Sequence, residues 1–137
     1  MRVRVLGSAA GGGFPQWNST AHACRLAGAE DSRALHSVQI SVAVSADGFH
    51  WFVLNASPDV RQQIEANSVL HPARAMRSSP IAGVVLTRSD VDAIAGLLTL
   101  KERQPFTILA TAGVHAILKS NAIFDGLARG HGLAGRL

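Results

Sequence analysis

The stretch GVVLTRSDVDAIAGLL, Gly83 to Leu98, reads as an apolar strand, a polar turn carrying two carboxylates, and the start of a helix of small residues. Ile81 to Thr87 is almost continuously apolar, the pattern of a strand buried on both faces, as strands of parallel sheets are. A helix is expected from about Asp90 to Lys101. A buried strand running into a helix is half of a parallel crossover, so the segment argues for an α/β fold. It also sets Asp90 and Asp92 at the carboxyl end of a strand, where α/β proteins tend to place ligands.

Upstream, Met1 to Leu6 alternates arginine and valine, a strand with one buried face. The run GSAAGGGFPQWN follows, with four glycines between Gly7 and Gly13, a loop that needs unusual backbone angles or close backbone approach. Residues 19–36 read as surface loop with a short helical turn around Ala23 to Ala27. Ser37 to Ser45 and Phe49 to Ala56 read as two strands joined by a hairpin turn at Ala46 to Gly48. Ser57, Pro58 and Asp59 suit a helix start: an N-cap, a first-turn proline and a charge for the positive end of the dipole. That helix is expected to end near Asn67. Downstream, Pro105 to Thr111 reads as a strand and Ala112 to Asn121 as a helix. The order is α/β with an antiparallel start and a parallel continuation, without internal repeats.

A chain of 137 residues is enough for one domain with a real core. The formal charge of +4 comes from arginines and lysines scattered along the chain. That scatter is a solvated basic surface rather than a nucleic-acid footprint. A single Cys24 excludes an internal disulfide and a multi-cysteine zinc site. The N-terminus lacks the long apolar centre of a secretory signal, and no apolar run approaches the ~18 residues of a membrane span. A cytoplasmic, soluble protein is expected, with no nucleic-acid or membrane partner.

The chemistry-bearing residues are few. The glycine loop lacks the Gly-Lys-Ser/Thr of a P-loop, and Gln16 stands where a dinucleotide fingerprint needs its third glycine. None of the six histidines pairs as His-x-His or at i,i+4, the local pairs of metallohydrolases. Asp59 reads first as a helix N-terminal charge and second as a site residue. Asp90 reads as a helix cap or, with Asp92 two residues on, as part of an oxygen-ligand pair for a hard cation. Arg88 beside them suits an ion pair.

Several stretches together resemble one family. VRVLGSAAGGGFPQWN (Val3 to Asn18), SVAVSADG (Ser41 to Gly48), LNASPDVRQQI (Leu54 to Ile64), VLTRSDVDAIAGLLTLKERQPF (Val85 to Phe106) and ATAGVHAILKSNAIF (Ala110 to Phe124) are similar to the PqqB family of pyrroloquinoline quinone (PQQ) biosynthesis. The resemblance implies a metallo-β-lactamase-like αββα sandwich, of which this chain resembles the N-terminal half. Residues 1–124 would form that half, and residues 125–137 a loosely packed, glycine-rich tail.

The same resemblance implies a cytoplasmic part in making PQQ from a peptide precursor. It leaves three readings open: iron- and oxygen-dependent hydroxylation of a tyrosine-derived precursor, a non-enzymatic carrier of PQQ or its precursor, or an inactive truncated remnant. Position by position, Arg88 and Asp90 take the first two histidine places of the fold's metal-binding His-x-His-x-Asp-His loop. Asp92 keeps the aspartate, and Ala93 takes the last histidine place. Asp90 and Asp92 are therefore the candidate catalytic and metal-ligating residues. Hydrolase chemistry is disfavoured because the histidines are missing. PQQ carries three carboxylates, so Gly11, Gly12, Gly13, Arg88 and Asp59 are the candidate ligand-binding residues, with Arg88 and the glycine amides as anion donors. Many family members carry a Cys-x-Cys-x-x-Cys structural zinc cluster after the tryptophan. Here Ser19 and Ala21 replace two of those cysteines and only Cys24, near His22, remains, so that zinc is not expected. A half-fold would expose an apolar sheet face and favour a homodimer, or a second polypeptide that completes the fold.

Overall fold

The structure, a computed structural model, describes residues 1–72, 78–101 and 105–128. Its strands β1 (Arg2–Gly7), β2 (Ser41–Ser45), β3 (Trp51–Leu54), β4 (Ile81–Leu86) and β5 (Thr107–Ala110) form one sheet in the order β1-β2-β3-β4-β5. The first three run antiparallel to their neighbours, and β3, β4 and β5 are parallel. The crossovers carry helix α2 (Val60–Glu65) and helix α3 (Val91–Ile94), each followed by a 3-10 turn. Helix α1 (His22–Gly28) lies between β1 and β2. Helices α4 (Ala112–Ser120) and α5 (Asp125–Ala128) follow β5.

Side chains alternate across a strand, so the sheet has two different faces. One face carries Ala43, Trp51, Val53, Val84, Leu86 and Ile108. These are buried in two clusters against the helical layer, with Leu97, Val114, Leu118 and Phe124 in one and Leu70 in the other. The opposite face carries two cross-strand rows. Val5, Val42, Leu54, Val85 and Leu109 stand side by side in register, and so do Val3, Val44, Phe52, Gly83 and Thr107. Phe52 lies over Gly83, where a Cβ would sit 2.7 Å from its ring. Val3 and Val5 on this face are 58% and 63% exposed, and the side chains further in are half-buried. Strand β4 was expected to be buried on both sides. It is covered only on its helix side, so Val85 stays half-buried.

The β2–β3 hairpin turns on Asp47. Its carboxylate accepts hydrogen bonds from the Ser45 hydroxyl and from the amides of Phe49 and His50, and it meets His50 Nδ1 at 2.7 Å. The His50 ring first, and then the two amides, hold this carboxyl well below the usual carboxylate range. A lowered carboxyl stabilises the fold above its unfolded pKa, and the contribution is lost as pH falls through the folded value. Acid is therefore expected to loosen this hairpin below about pH 4. In a wild-type versus Asp47→Ala comparison of thermal midpoints, the difference should shrink between pH 6 and pH 2.5. A gap that stays constant across that range would show that the carboxylate charge does not matter.

Several elements are shorter than the pattern suggested. Ser37 to Ser45 alternates throughout, but only Ser41–Ser45 pairs with β1. Ser37 and Gln39 instead bridge to Phe14 and Ala9 in the glycine loop. The helix expected to end near Asn67 stops at Glu65, and a 3-10 turn, Ser68–Leu70, follows it. The helix expected over Asp90 to Lys101 is α3 plus a 3-10 turn, Ala95–Leu98. The segment expected to form a loose tail begins as α5, whose Leu127 is buried in the core. Residues 129–137 lie outside the described residues.

Candidate functional site

The strand directions put the carboxyl ends of β1, β3, β4 and β5 along one edge of the sheet. Three loops meet there: the glycine loop after β1, Asn55 to Asp59 after β3, and Thr87 to Asp90 after β4. The sequence-derived candidates converge on this edge because each follows a strand of the same direction.

Two contacts hold the second and third loops together. Asn55 adopts the left-handed conformation (φ 61°), which asparagine tolerates better than most residues. Its Oδ1 accepts from the Thr87 amide at 3.0 Å and from the Thr87 hydroxyl at 3.1 Å. Gly96 then lets the helix after β4 lie on the backbone of 56–57. The Gly96 amide donates to the Ala56 carbonyl at 2.8 Å, and the Ala56 amide to the Ala93 carbonyl at 2.7 Å.

The glycine loop sits between the acidic residues. A Cβ on Gly11 would overlap the carboxylate of Asp92, and one on Gly13 would lie 3.8 Å from Asp59 Oδ2. Gly12 and Gly13 both have positive φ, 88° and 76°, which glycine adopts without strain. The loop consumes most of its own donors. The Ser8 and Ala9 amides bond to the Val38 carbonyl, the Gly13 amide to Ala10, and the Phe14 amide to Ser37. Of the three candidate glycines, Gly13 therefore has no amide to offer a ligand. The amides of Gly11 and Gly12 have no protein acceptor among the described residues.

Asp59 precedes α2 but makes no side-chain cap. Its Oδ2 accepts the backbone amide of Gln39 at 2.9 Å, and it lines a cavity of about 380 Å³ with Gly12, Gly13, Phe14, His36 and Gln62. A volume of that order lies within the ~300–1,000 Å³ of small-molecule sites. Gln39 and the buried Gln63, whose amide donates to the Gln39 carbonyl at 2.6 Å, escaped the sequence reading. The regular alternation from Ser37 to Ser45 concealed Gln39 by suggesting a strand, and Gln63 read as an ordinary residue of the helix after Asp59. Two glutamines in otherwise apolar or helical surroundings were the only signal.

Arg88 Nε meets Asp90 Oδ1 at 2.9 Å, and both side chains are about half exposed (49% and 52%). Asp92, half-buried, faces Gly11 instead. Among the described residues, no three His, Cys, Asp or Glu side chains come together as metal ligands. A non-haem iron centre takes about three protein ligands. Here Arg88 and Ala93 offer none, and Asp90 is held by a guanidinium. The described donors do not fit iron, and no metal-dependent step follows from them. His22 and the half-buried Cys24 both lie on α1. No described helix is long and apolar enough to cross a membrane.

A family model described as a beta-lactamase superfamily domain matches residues 50–134. The coenzyme PQQ synthesis protein B of Gluconacetobacter diazotrophicus is 61% identical over 125 residues, which are 91% of this chain and 41% of that protein. The protein of the same name from Methylorubrum extorquens strain PA1 is 56% identical, covering 93% of this chain and 43% of its own. Among solved structures, Zn²⁺-bound PqqB from Methylobacterium extorquens superposes with a TM-score of 0.90 at 56% identity, over 93% of this chain and 46% of that one. A diphosphatase of the PhnP family superposes with a TM-score of 0.71 at 21% identity, over 95% of this chain and 48% of its own. That likeness is one of fold alone. The chain thus spans less than half the length of each of these relatives.

Proposed function

The chain belongs to the beta-lactamase superfamily, and on that premise we propose that it serves coenzyme PQQ synthesis in the cytoplasm, binding PQQ or its tyrosine-derived precursor at the carboxyl edge of the sheet. The observation that carries the pathway is the 61% identity over 91% of this chain to a PQQ synthesis protein B. The edge supports a binding role: it offers a cavity lined in part by Gly12, Gly13 and Asp59, with Arg88 on the neighbouring loop paired to Asp90.

PQQ is a planar tricarboxylate, so its recognition needs donors aimed at carboxylates. Arg88, which is paired with Asp90, and the Gly11 and Gly12 amides are the candidate donors on this edge. Of the carboxylates around them, Asp90 is paired with Arg88 and Asp59 accepts the Gln39 amide, while Asp92 lies against Gly11. A ligand carboxylate that displaces Asp90 from Arg88 exchanges one charge-assisted pair for another, with bidentate geometry available to the guanidinium.

The direct test is PQQ output. The gene is deleted in its source organism, and PQQ is assayed by reconstitution of an apo-quinoprotein dehydrogenase. Loss of PQQ, restored by this chain alone, is expected. Unchanged PQQ in the deletion strain would refute the biosynthetic role.

A further inference from the structure

Two side chains four residues apart close on one backbone position. Asp59 Oδ2 accepts the Gln39 amide at 2.9 Å, and Gln63 Nε2 donates to the Gln39 carbonyl at 2.6 Å. Asp59 directly precedes α2 and Gln63 lies one turn on, its amide bonded to the Asp59 carbonyl at 2.9 Å. Both side chains therefore leave the same side of the helix. The peptide groups on either side of Gln39 are also engaged. The Val38 carbonyl accepts the Ser8 and Ala9 amides, and the Ile40 amide donates to the Ala9 carbonyl. Residue 39 is thus fixed between the glycine loop and α2, and the Asp59 carboxylate is fixed with it.

Gln63 is wholly buried, and its Oε1 meets no donor among the described residues. An unpaired amide oxygen in the interior lowers stability, and methionine would fill similar space without it. What glutamine supplies here is the N–H for Gln39. Asp59, for its part, commits only Oδ2. Its Oδ1 accepts no hydrogen bond among the described residues, and its side chain lines the cavity of about 380 Å³. Among the described residues around that cavity, Asp59 is the one formal charge, with no lysine or arginine to balance it. His36 gives Nε2 to the Ala27 carbonyl at 2.9 Å, so its neutral ring keeps Nδ1 as an acceptor.

We propose that this cavity takes a protonated primary amine on Asp59 Oδ1, and that Gln63 is the positioning residue that holds the carboxylate in place for it. The proposal rests on the reading that this edge binds a ligand of PQQ synthesis. It gives that ligand a direction, any carboxylate lying toward Arg88 and the ammonium toward Asp59. An ammonium brings both the countercharge and the donors that the cavity lacks, and the Phe14 ring in the wall favours a cation further.

The test is a nitrogen-15 NMR titration of the full chain, with the Gln39 amide as reporter because its hydrogen goes to Asp59. The probes are tyramine, which carries a protonated amine, 4-hydroxyphenylpropionate, which carries a carboxylate on the same ring, and neutral 4-ethylphenol. Tyramine is expected to bind about tenfold tighter than either comparator and to move the Gln39 resonance. Asp59→Asn should abolish that preference. Gln63→Met, which keeps the bulk and drops the N–H, should weaken tyramine about threefold and leave 4-ethylphenol unchanged. Equal binding of tyramine and 4-ethylphenol, tighter binding of the propionate, or a preference that survives Asp59→Asn overturns the amine site. So does the absence of tyramine binding up to about 10 mM. If Gln63→Met weakens both phenols alike, or does not fold by circular dichroism, Gln63 is structural and its positioning role fails, while Asp59→Asn still decides the amine site. A tyramine preference in a chain whose deletion leaves PQQ unchanged refutes the pathway alone. Loss of PQQ on deletion without that preference refutes the amine site alone.

Discussion

Gly96→Ala is expected to cost about 3 kcal/mol of stability, as overpacking against backbone does, and to lower the thermal midpoint by about 10 °C. A Cβ at this position would overlap the Ser57 carbonyl oxygen and sit 2.8 Å from both the Ala56 oxygen and Val60 Cγ1. Two of those neighbours are backbone: Ala56 is held by the Gly96–Ala56 and Ala56–Ala93 hydrogen bonds, and the Ser57 carbonyl accepts the Val60 amide. The helix after β4 must therefore lift away from 56–57. Because Asn55 and Asp59 flank that segment, the displacement also separates the second and third loops of the carboxyl edge. Gly113→Ala is the matched control. Nothing lies within 4 Å of its added carbon, and an exposed helical glycine gains up to ~1 kcal/mol on conversion to alanine. Circular-dichroism melts of the two variants should move in opposite directions. A Gly96→Ala melt within 2 °C of wild type would show that this contact does not lock the loops.

The same glycine explains why part of the fold was legible in the sequence and part was not. The strands and their order follow from local patterns: alternation in β1 and β2, an apolar run in β4, the turn at Ala46 to Gly48. The length of the helix after β4 does not. Apolar and small residues continue smoothly from Val91 to Leu100, which favours one helix. The amide of Gly96 is instead drawn to the Ala56 carbonyl, a bond between residues 40 positions apart, and α3 gives way to a 3-10 turn. Strand β2 shortens for a related reason. Residues 37–39 alternate as well as 41–45 do, but the glycine loop reaches their backbone first, through Phe14–Ser37 and Ala9–Gln39. Periodicity reports which faces a segment offers. It cannot report which distant backbone will claim its hydrogen bonds.

The candidate site was legible to the extent that it depends on strand direction. Gly11, Gly12, Gly13, Asp59, Arg88, Asp90 and Asp92 all come to one edge because β1, β3 and β4 run the same way. Their individual duties are set by contacts beyond sequence reach. Asp59 looked like a helix charge but grips the Gln39 amide from across the fold. Gly13 looked like an anion donor but spends its amide on the loop's own turn. Asp90 and Asp92 looked like a pair, yet one faces Arg88 and the other faces Gly11. Side chains two apart in sequence can diverge at a helix start, since successive helical positions differ by ~100°.

That divergence gives the site its sharpest test, through the opposite effects of two neighbouring substitutions on the affinity for PQQ. Arg88→Ala removes the guanidinium and is expected to weaken binding about tenfold, the lower part of the ~1.5–3 kcal/mol range for bonds to charged groups, as suits a half-exposed donor. Asp90→Asn leaves the guanidinium in place and removes its competitor, so binding should tighten about threefold, the worth of a surface ion pair no longer broken. Neither change should move stability by more than ~1 kcal/mol, because an exposed pair of this kind contributes little to folding. Calorimetric titration of PQQ into each variant, at 50 and 300 mM salt, separates the outcomes. The wild-type and Asp90→Asn affinities should fall with salt, and Arg88→Ala should fall less, since its lost contact is the screened one. If both substitutions weaken binding, Asp90 orients Arg88 for the ligand instead of competing with it, and the exchange of ion pairs is refuted.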